Sequence, residues 1–241
     1  MDTIINNLSY IHQKIDAACI KAGRPQGNVR LLMATKTVDP TKIKVAINAG
    51  ETLLGENKVQ EMRDKDEALK NHLVERHFIG HLQTNKVKDI IRYATCIESV
   101  DRESVAEKLS KELAKKGATI DVLIQVNTSF EESKFGVAPS EALNLVRSVA
   151  KYDNIKIKGL MTIGLFSADK EKVRKCFKLL KQIQQEVIAA DIPHVELKEL
   201  SMGMSGDYEV AIEEGATIVR IGTAIFGARI YPDSFYWDES K

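Results

Sequence analysis

Lys36 is the residue whose type and position most directly suggest covalent chemistry. It comes just after the apolar run LLMA at 31–34, so we expect it to emerge from the end of a buried strand. A lysine near apolar walls and other cations loses solvation, which favours the neutral amine over the ammonium ion. A neutral amine can attack an aldehyde and form a Schiff base. Position alone leaves open a simpler reading, in which Lys36 only extends its charged end into solvent.

Two glycine-containing segments near the C-terminus are suited to binding phosphate. They are SMGMSG at 201–206 and IGTAIFG at 221–227, and each follows a predicted strand. Backbone N–H groups at such turns form anion sites, although ordinary turn glycines remain the alternative. Arg220 lies between the two segments, within the apolar run TIVRI. A buried arginine needs a partner, and either a structural ion pair or a bound ligand would supply one.

The elements that must position these residues alternate along the chain. Short apolar runs predict strands at 30–34, 52–55, 76–79, 95–98, 119–126, 155–162, 195–200 and 217–221. Segments with helical periodicity lie at 41–49, 58–69, 85–92, 102–116, 140–151, 170–190 and 207–214. Eight strands alternating with helices indicate parallel βαβ units, and this length suits a closed (β/α)8 TIM-type barrel better than an open sheet.

An additional helix precedes the first strand. Its apolar positions are Ile4, Leu8, Ile11, Ile15, Ala18 and Ala22, a spacing that marks one helix face packing across a larger body. No linker or composition break divides the sequence, so we expect one domain over residues 1–241.

Active residues of a β/α barrel lie where strands end and loops begin. This rule selects the polar residues that follow the predicted strands. They are Thr35, Lys36, Thr37, Glu56, Asn57, His81, Gln83, Asn85, Asn127, Thr128, Lys134, Thr162, Ser201, Gly203, Arg220, Gly222 and Thr223.

Composition and charge exclude several classes of function. The formal net charge of +1 gives no reason to expect a nucleic-acid or membrane partner. Cys19, Cys96 and Cys176 are far apart in sequence, which predicts reduced thiols in the cytoplasm. The five histidines form no ligand cluster, so we expect no metal. The N-terminus is not typical of a signal peptide, and no apolar stretch is long enough to span a bilayer.

Seven motifs carry a resemblance to a known family, and this resemblance runs from about residue 5 to Arg229. They are ATKT around Lys36, GENKVQE (55–61), HFIGHLQTNK (77–86), SKFG (133–136), GLMTIG (159–164), SMGMSGDYEVAIEEGAT (201–217) and VRIGTAIFG (219–227). In combination they resemble the pyridoxal phosphate homeostasis protein family, whose fold is similar to the N-terminal barrel of alanine racemases. The resemblance implies that the chain binds pyridoxal 5'-phosphate (PLP) as a Schiff base on Lys36.

The same resemblance assigns roles to individual residues. The cofactor-binding residues that it implies are Lys36, Asn57, Ser201, Gly203, Arg220, Gly222 and Thr223. Ser201, Gly222 and Thr223 would hold the phosphate, with Gly203 in the same loop, and Asn57 would line the pocket. Arg220 would face the pyridine nitrogen, keep it unprotonated and so weaken the ring as an electron sink. Lys134 matches a family lysine near the barrel mouth that assists cofactor transfer.

The implied function is a non-catalytic one, in which the protein buffers PLP and delivers it to PLP-dependent apoenzymes. The alternative is an amino-acid racemase with weak activity, which needs acid or base groups on both faces of its substrate. In alanine racemases a tyrosine of a separate C-terminal domain serves the second face. Here fewer than twenty residues follow Gly222, and Tyr231 and Tyr236 belong to this short tail. We therefore expect no catalytic residues, and a monomer or weak dimer.

Overall fold

Eight parallel strands form a closed barrel in the computed structural model, which describes residues 2–227. The strands are β1 (Arg30–Ala34), β2 (Leu53–Glu56), β3 (Glu75–Phe78), β4 (Cys96–Val100), β5 (Ile120–Gln125), β6 (Ile155–Met161), β7 (Glu199–Met204) and β8 (Ile218–Ile221). Each strand pairs with the next one along the chain, and β8 pairs back with β1 in the register Met33 to Ile221. The predicted TIM-type barrel is confirmed.

Helices follow the strands and surround the barrel. They are α1 (Asp2–Lys21), α2 (Pro40–Asn48), α3 (Val59–Leu69), α4 (Val87–Ile90), α5 (Glu103–Ala114), α6 (Ala142–Val149), α7 (Lys170–Ala189), α8 (Tyr208–Glu213) and α9 (Thr223–Phe226). Local sequence explains where some of them begin. Asp39 accepts a hydrogen bond from the Thr41 N–H, and Pro40 occupies the first position of α2, where a missing N–H is tolerated.

The additional N-terminal helix is present and buries the predicted face. The buried apolar side chains of α1 include Ile4, Leu8, Ile11, Ile15 and Ala18. This face packs against α8, α9 and α2, so the helix covers the side of the barrel where the chain ends its last β/α unit. Ala22 lies one residue beyond the end of the helix and is only half-buried.

Side chains alternate between the two faces of each strand, which separates two apolar regions. Phe78, Ile97 and Val219 belong to the large core between the strands and the helices. Smaller clusters formed around Leu32 and Leu123 belong to the opposite, inward-facing set. The barrel interior is therefore a packed core, as is usual for this fold, with polar side chains between its apolar clusters.

The seventh strand is the element whose position differs most from its prediction. It was predicted at 195–200, yet β7 runs from Glu199 to Met204. Ser201 and Gly203 therefore lie within the strand instead of in the loop after it. The apolar pattern missed them because a serine that faces the interior and a glycine that packs against α8 together look like a turn.

Candidate functional site

Lys36 and the Gly222–Thr223 turn follow neighbouring strands, β1 and β8. Lys36 is buried at 8% exposure. A Cβ atom at Gly222 would lie 2.8 Å from the carbonyl oxygen of Ala34, so a glycine is required for the end of β8 to approach β1 this closely. The fold therefore brings the predicted covalent residue and one predicted phosphate segment to the same sector of the barrel mouth.

A buried ionic cluster fixes the backbone on both sides of Lys36. The Lys65 ammonium donates to the Thr35 carbonyl oxygen at 2.7 Å, to Glu56 Oε1 at 2.6 Å and to Glu61 Oε2 at 2.8 Å. The backbone N–H of Thr37 donates to the same Glu61 oxygen at 2.6 Å. Thr37 has a φ of 63°, a conformation that few non-glycine residues adopt, and this hydrogen bond helps to hold it there.

Charge within this cluster is strongly desolvated. Burial raises the pKa of Glu56 to about 7, although Lys65 opposes the rise. Sequence reasoning missed Lys65 because it lies in the charged segment VQEMRDKDEAL, where a lysine is normally solvent-exposed. Its signal was its place in the helix, since its neighbours on the buried face are Met62 and Leu69.

At the phosphate end of the site, the structure brings Thr223 together with Ser205. Their hydroxyl oxygens lie 3.4 Å apart, and α9 begins at Thr223. Gly203 has a φ of +92°, and a Cβ there would lie 2.5 Å from the Cβ of Ala211. Only glycine lets β7 pass α8 this closely and present Ser205 beside the end of β8. Ser205 was not among the predicted site residues.

Ser201, by contrast, lies inside the barrel and has other partners. Its hydroxyl donates to Glu98 Oε2 at 2.6 Å and accepts from Arg220 Nη1 at 2.8 Å. A serine hydroxyl has one proton to donate, and Glu98 takes it here. In this arrangement the Ser201 proton goes to Glu98, and Ser205 is the serine beside Thr223. The phosphate contact predicted for Ser201 stays a prediction, and Ser205 is a second candidate for it.

Arg220 is buried below the Gly222–Thr223 turn and held at two nitrogens. Its Nη2 donates to the Thr162 carbonyl oxygen at 2.7 Å, in addition to the bond from Nη1 to Ser201. Burial lowers the pKa of the guanidinium, while Glu98 and Asp207 act in the opposite direction. Arg220 was expected to have either a structural ion pair or a bound ligand as its partner. The structure is compatible with both, since Arg220 takes part in a buried ionic arrangement and lies next to the Gly222–Thr223 turn.

Asn57 and Lys134 lie at other parts of the mouth. Asn57 follows β2 and is half-buried, and a Cβ at Gly80 would come within 2.0 Å of its carbonyl oxygen. Lys134, in the loop after β5, pairs with Glu131 and donates to the Gly164 carbonyl oxygen at 2.8 Å. Lys134 therefore links the loops that follow β5 and β6, on the far side of the barrel from Lys36 in strand order.

Neither a metal site nor a membrane span is found in the residues that the structure describes. Within 2–227 no three His, Cys, Asp or Glu side chains are grouped so as to hold a metal ion. None of the helices in this range is both long and apolar enough to cross a bilayer. Cys19, Cys96 and Cys176 are all buried and form no disulfide.

The residues gathered here fit a ligand with a carbonyl group and an anionic phosphate. Lys36 supplies an amine, and the Ser205 and Thr223 hydroxyls with the Gly222 turn supply anion-binding groups. Arg220 supplies a buried guanidinium next to that turn. Gly222 has no side chain, so only backbone atoms line the mouth beside Ala34. A phosphate group would need access at this point.

Comparison with known proteins identifies the family. The family model described as "Alanine racemase, N-terminal domain" matches residues 2–230. A pyridoxal phosphate homeostasis protein of Aquifex aeolicus is 46% identical over 224 residues, 93% of this chain and 97% of that protein. PipY of Synechococcus elongatus, solved with PLP bound, has a TM-score of 0.80 at 27% identity, over 93% of this chain and all of that one.

A more distant structure shows the fold alone. An alanine racemase of Clostridium difficile has a TM-score of 0.74 at 15% identity, and the match covers 97% of this chain but 57% of the racemase. The barrel therefore corresponds to one part of that larger enzyme. Given these matches, the chain belongs to the pyridoxal phosphate homeostasis protein family, which shares the alanine racemase N-terminal domain.

Proposed function

We propose that this protein binds PLP on Lys36, buffers it and delivers it to PLP-dependent apoenzymes. The bound PLP of PipY and the name of the Aquifex relative support this proposal. The observation that carries it is the pairing of β1 with β8, which brings Lys36 to the same sector of the mouth as Gly222 and Thr223.

Each residue of the site has a distinct task in this proposal. PLP supplies an aldehyde that a lysine amine can attack, and a phosphate dianion. The Thr223 and Ser205 hydroxyls donate to the phosphate, together with backbone N–H groups of the Gly222 turn. Arg220 faces the ring nitrogen and, because a guanidinium keeps its protons, leaves that nitrogen unprotonated. An unprotonated ring withdraws electrons weakly, which suits holding the cofactor more than turning over a substrate.

Other parts of the mouth complete the proposal. Asn57 lines the pocket after β2, and Lys134 assists cofactor transfer from its position between the loops after β5 and β6. We propose that the chain acts as a single domain over residues 1–241, in the cytoplasm, as a monomer or weak dimer.

We further propose that the protein is not an efficient racemase. The tyrosines of the described part of the chain are Tyr10, Tyr93, Tyr152 and Tyr208, and they lie on or next to the outer helices. Tyr231 and Tyr236 fall outside the described residues. Without a second acid or base, racemisation loses a factor of about 10² to 10⁴. Conversion of L-alanine into D-alanine should therefore be slow, and rapid conversion that Lys36→Ala abolishes would favour the racemase instead.

Titration of the purified protein with PLP, followed by absorption spectroscopy, tests the binding proposal. The wild type should become yellow with one equivalent of PLP, and Lys36→Ala should not. Lys116→Ala is a suitable control because Lys116 is exposed after α5, away from the mouth. If the wild type gains no new absorption, or if Lys36→Ala gains the same absorption as the wild type, the proposal fails.

A further inference from the structure

We propose that Glu98 is a positioning residue for the cofactor site, which reaches across the barrel from β4 and fixes the Arg220 guanidinium through the Ser201 hydroxyl. This inference rests on the proposed function, because it concerns how the group facing the cofactor ring is held. Glu98 has no exposed surface and lies in a strand that contributes no predicted site residue.

A continuous hydrogen-bonded path supports this assignment. Glu98 Oε2 accepts from Ser201 at 2.6 Å, and Ser201 accepts from Arg220 at 2.8 Å. The first bond joins residues 103 positions apart, on strands β4 and β7, which are not neighbours in the barrel. The path therefore crosses the interior instead of following one wall. Arg220 also donates to the Thr162 carbonyl oxygen, and this second bond restricts rotation of the planar guanidinium.

The path continues on the other side of Glu98 to His77 and Glu75. His77 Nδ1 lies 2.6 Å from Glu98 Oε1, and His77 Nε2 lies 3.6 Å from Glu75 Oε2. Burial alone would keep His77 neutral, but the two carboxylates raise its pKa to about 9, so it carries a positive charge at neutral pH. Charges thus alternate from Glu75 through His77 and Glu98 to Arg220, which is how buried charges are tolerated.

Other charged groups near Arg220 do not replace Glu98. Asp207 also acts electrostatically on the guanidinium, but its Oδ1 accepts from the backbone N–H of Met204 at 2.6 Å. Burial raises the pKa of Glu98, whereas His77 and Arg220 lower it, and their combined effect keeps it below its usual value. Glu98 is therefore an anion throughout the neutral range and balances Arg220 permanently.

A double-mutant cycle between Glu98→Gln and Arg220→Gln tests the assignment. Glutamine matches glutamate in shape, so Glu98→Gln removes the charge and leaves an acceptor for Ser201. We expect PLP to dissociate about tenfold faster from Glu98→Gln than from the wild type, with a shifted absorption spectrum of the loaded protein. Both changes should disappear when Glu98→Gln is introduced into the Arg220→Gln protein. Glu112→Gln is the control, since Glu112 is a buried carboxylate on the outer helix α5.

Thermal stability of the unloaded proteins gives an independent reading of the same cycle. Glu98→Gln leaves the Arg220 and His77 cations without the carboxylate between them and should lower Tm by about 5–10 °C, whereas in the Arg220→Gln protein the same substitution should lower Tm by much less. Additive effects on Tm, or a spectrum of Glu98→Gln unchanged from the wild type, would overturn the assignment. If Glu98→Gln does not fold, Ser201→Ala, which breaks the path without changing charge, must still speed PLP release. Failure of the wild type to bind PLP would instead overturn the proposed function, and the Tm cycle would still decide on Glu98.

Discussion

At the scale of single residues, the site divides into residues that the sequence can identify and residues that only the fold can. Lys36, Gly222 and Thr223 follow predicted strands directly, so the rule for barrel mouths selects them. Ser205 lies within the predicted phosphate segment and Lys65 lies on the buried face of α3, but only the fold shows their contacts with Thr223 and Thr35, and only the fold shows the partners of Glu98. Glu98 was the last residue of a predicted strand, but nothing in its neighbours indicates a partner 103 residues later. The periodicity of a sequence indicates which residues are buried. Which side chains meet across the barrel depends on how the strands close into a ring.

Substitution of Ser205 tests the proposed phosphate site, and Ser140 provides the control. Ser205→Ala should weaken PLP binding about tenfold, because it removes one hydrogen bond to a charged group. Ser140→Ala should have no effect, since Ser140 is exposed near the start of α6. Equilibrium dialysis against PLP measures the affinity. Equal affinity of Ser205→Ala and the wild type would show that Ser205 does not hold the phosphate.

The ionic cluster behind Lys36 gives a second prediction at this scale. Lys65→Met leaves the carboxylates of Glu56 and Glu61 without their shared cation, and should lower the free energy of unfolding by about 3 kcal/mol. Lys70→Met, at the exposed C-terminal end of the same helix, should change it much less. Urea denaturation compares the two variants. A loss for Lys65→Met no larger than that for Lys70→Met would mean that the cluster contributes little to stability.

At the scale of elements, apolar periodicity predicted the order and type of almost every strand and helix. The strand β1 has the predicted bounds, Arg30 to Ala34, and the polar residues Thr35 and Lys36 follow it directly. The strand β7 lies about four residues later than predicted. Ser201 faces the polar interior and Gly203 packs against α8, so neither residue gives an apolar signal. The polar interior also explains why the sequence pattern did not indicate that Glu98 of β4 and Ser201 of β7 contact each other inside the barrel.

The helix α1 offers a matched pair of isoleucines for a test of packing. Ile11 is 2% exposed and Ile20 is 62% exposed on the same helix. Ile11→Ala should lower the free energy of unfolding by about 3 kcal/mol, because it leaves a cavity against the body of the protein. Ile20→Ala should have an effect below about 0.5 kcal/mol. Similar losses in urea denaturation for both variants would contradict the packing of this face.

At the scale of the whole molecule, eight β/α units and the absence of a linker predicted the closed barrel. Closure itself depends on the pairing of β1 with β8, residues about 190 apart in sequence, and could be inferred only from the number of repeats. Closure places Arg220, on β8, next to the strand that Lys36 follows, and places Glu98, on β4, across the barrel from them. The alternation of charge from the exposed Glu75 through the buried His77, Glu98 and Arg220 is therefore a property of the assembled barrel.

This alternation predicts a dependence of stability on pH. The folded protein raises the pKa of His77 from 6.5 to about 9, so protonated His77 stabilises the fold. The contribution is complete below about pH 6.5 and is lost as the pH rises through about 9, for a total of up to about 3 kcal/mol. Urea denaturation between pH 6 and pH 10 measures it. His77→Gln should flatten this part of the profile, and a decline as steep as that of the wild type would assign the effect to other groups.

The central claim is that Lys36 holds the cofactor, and peptide mapping after borohydride reduction tests it most directly. Reduction of the PLP-loaded protein should fix one pyridoxyl group per chain, on the peptide that contains Lys36. The same treatment of Lys36→Ala should leave that peptide unmodified and give no equivalent label elsewhere. A label found mainly on another lysine, such as Lys134 or Lys65, would contradict the account.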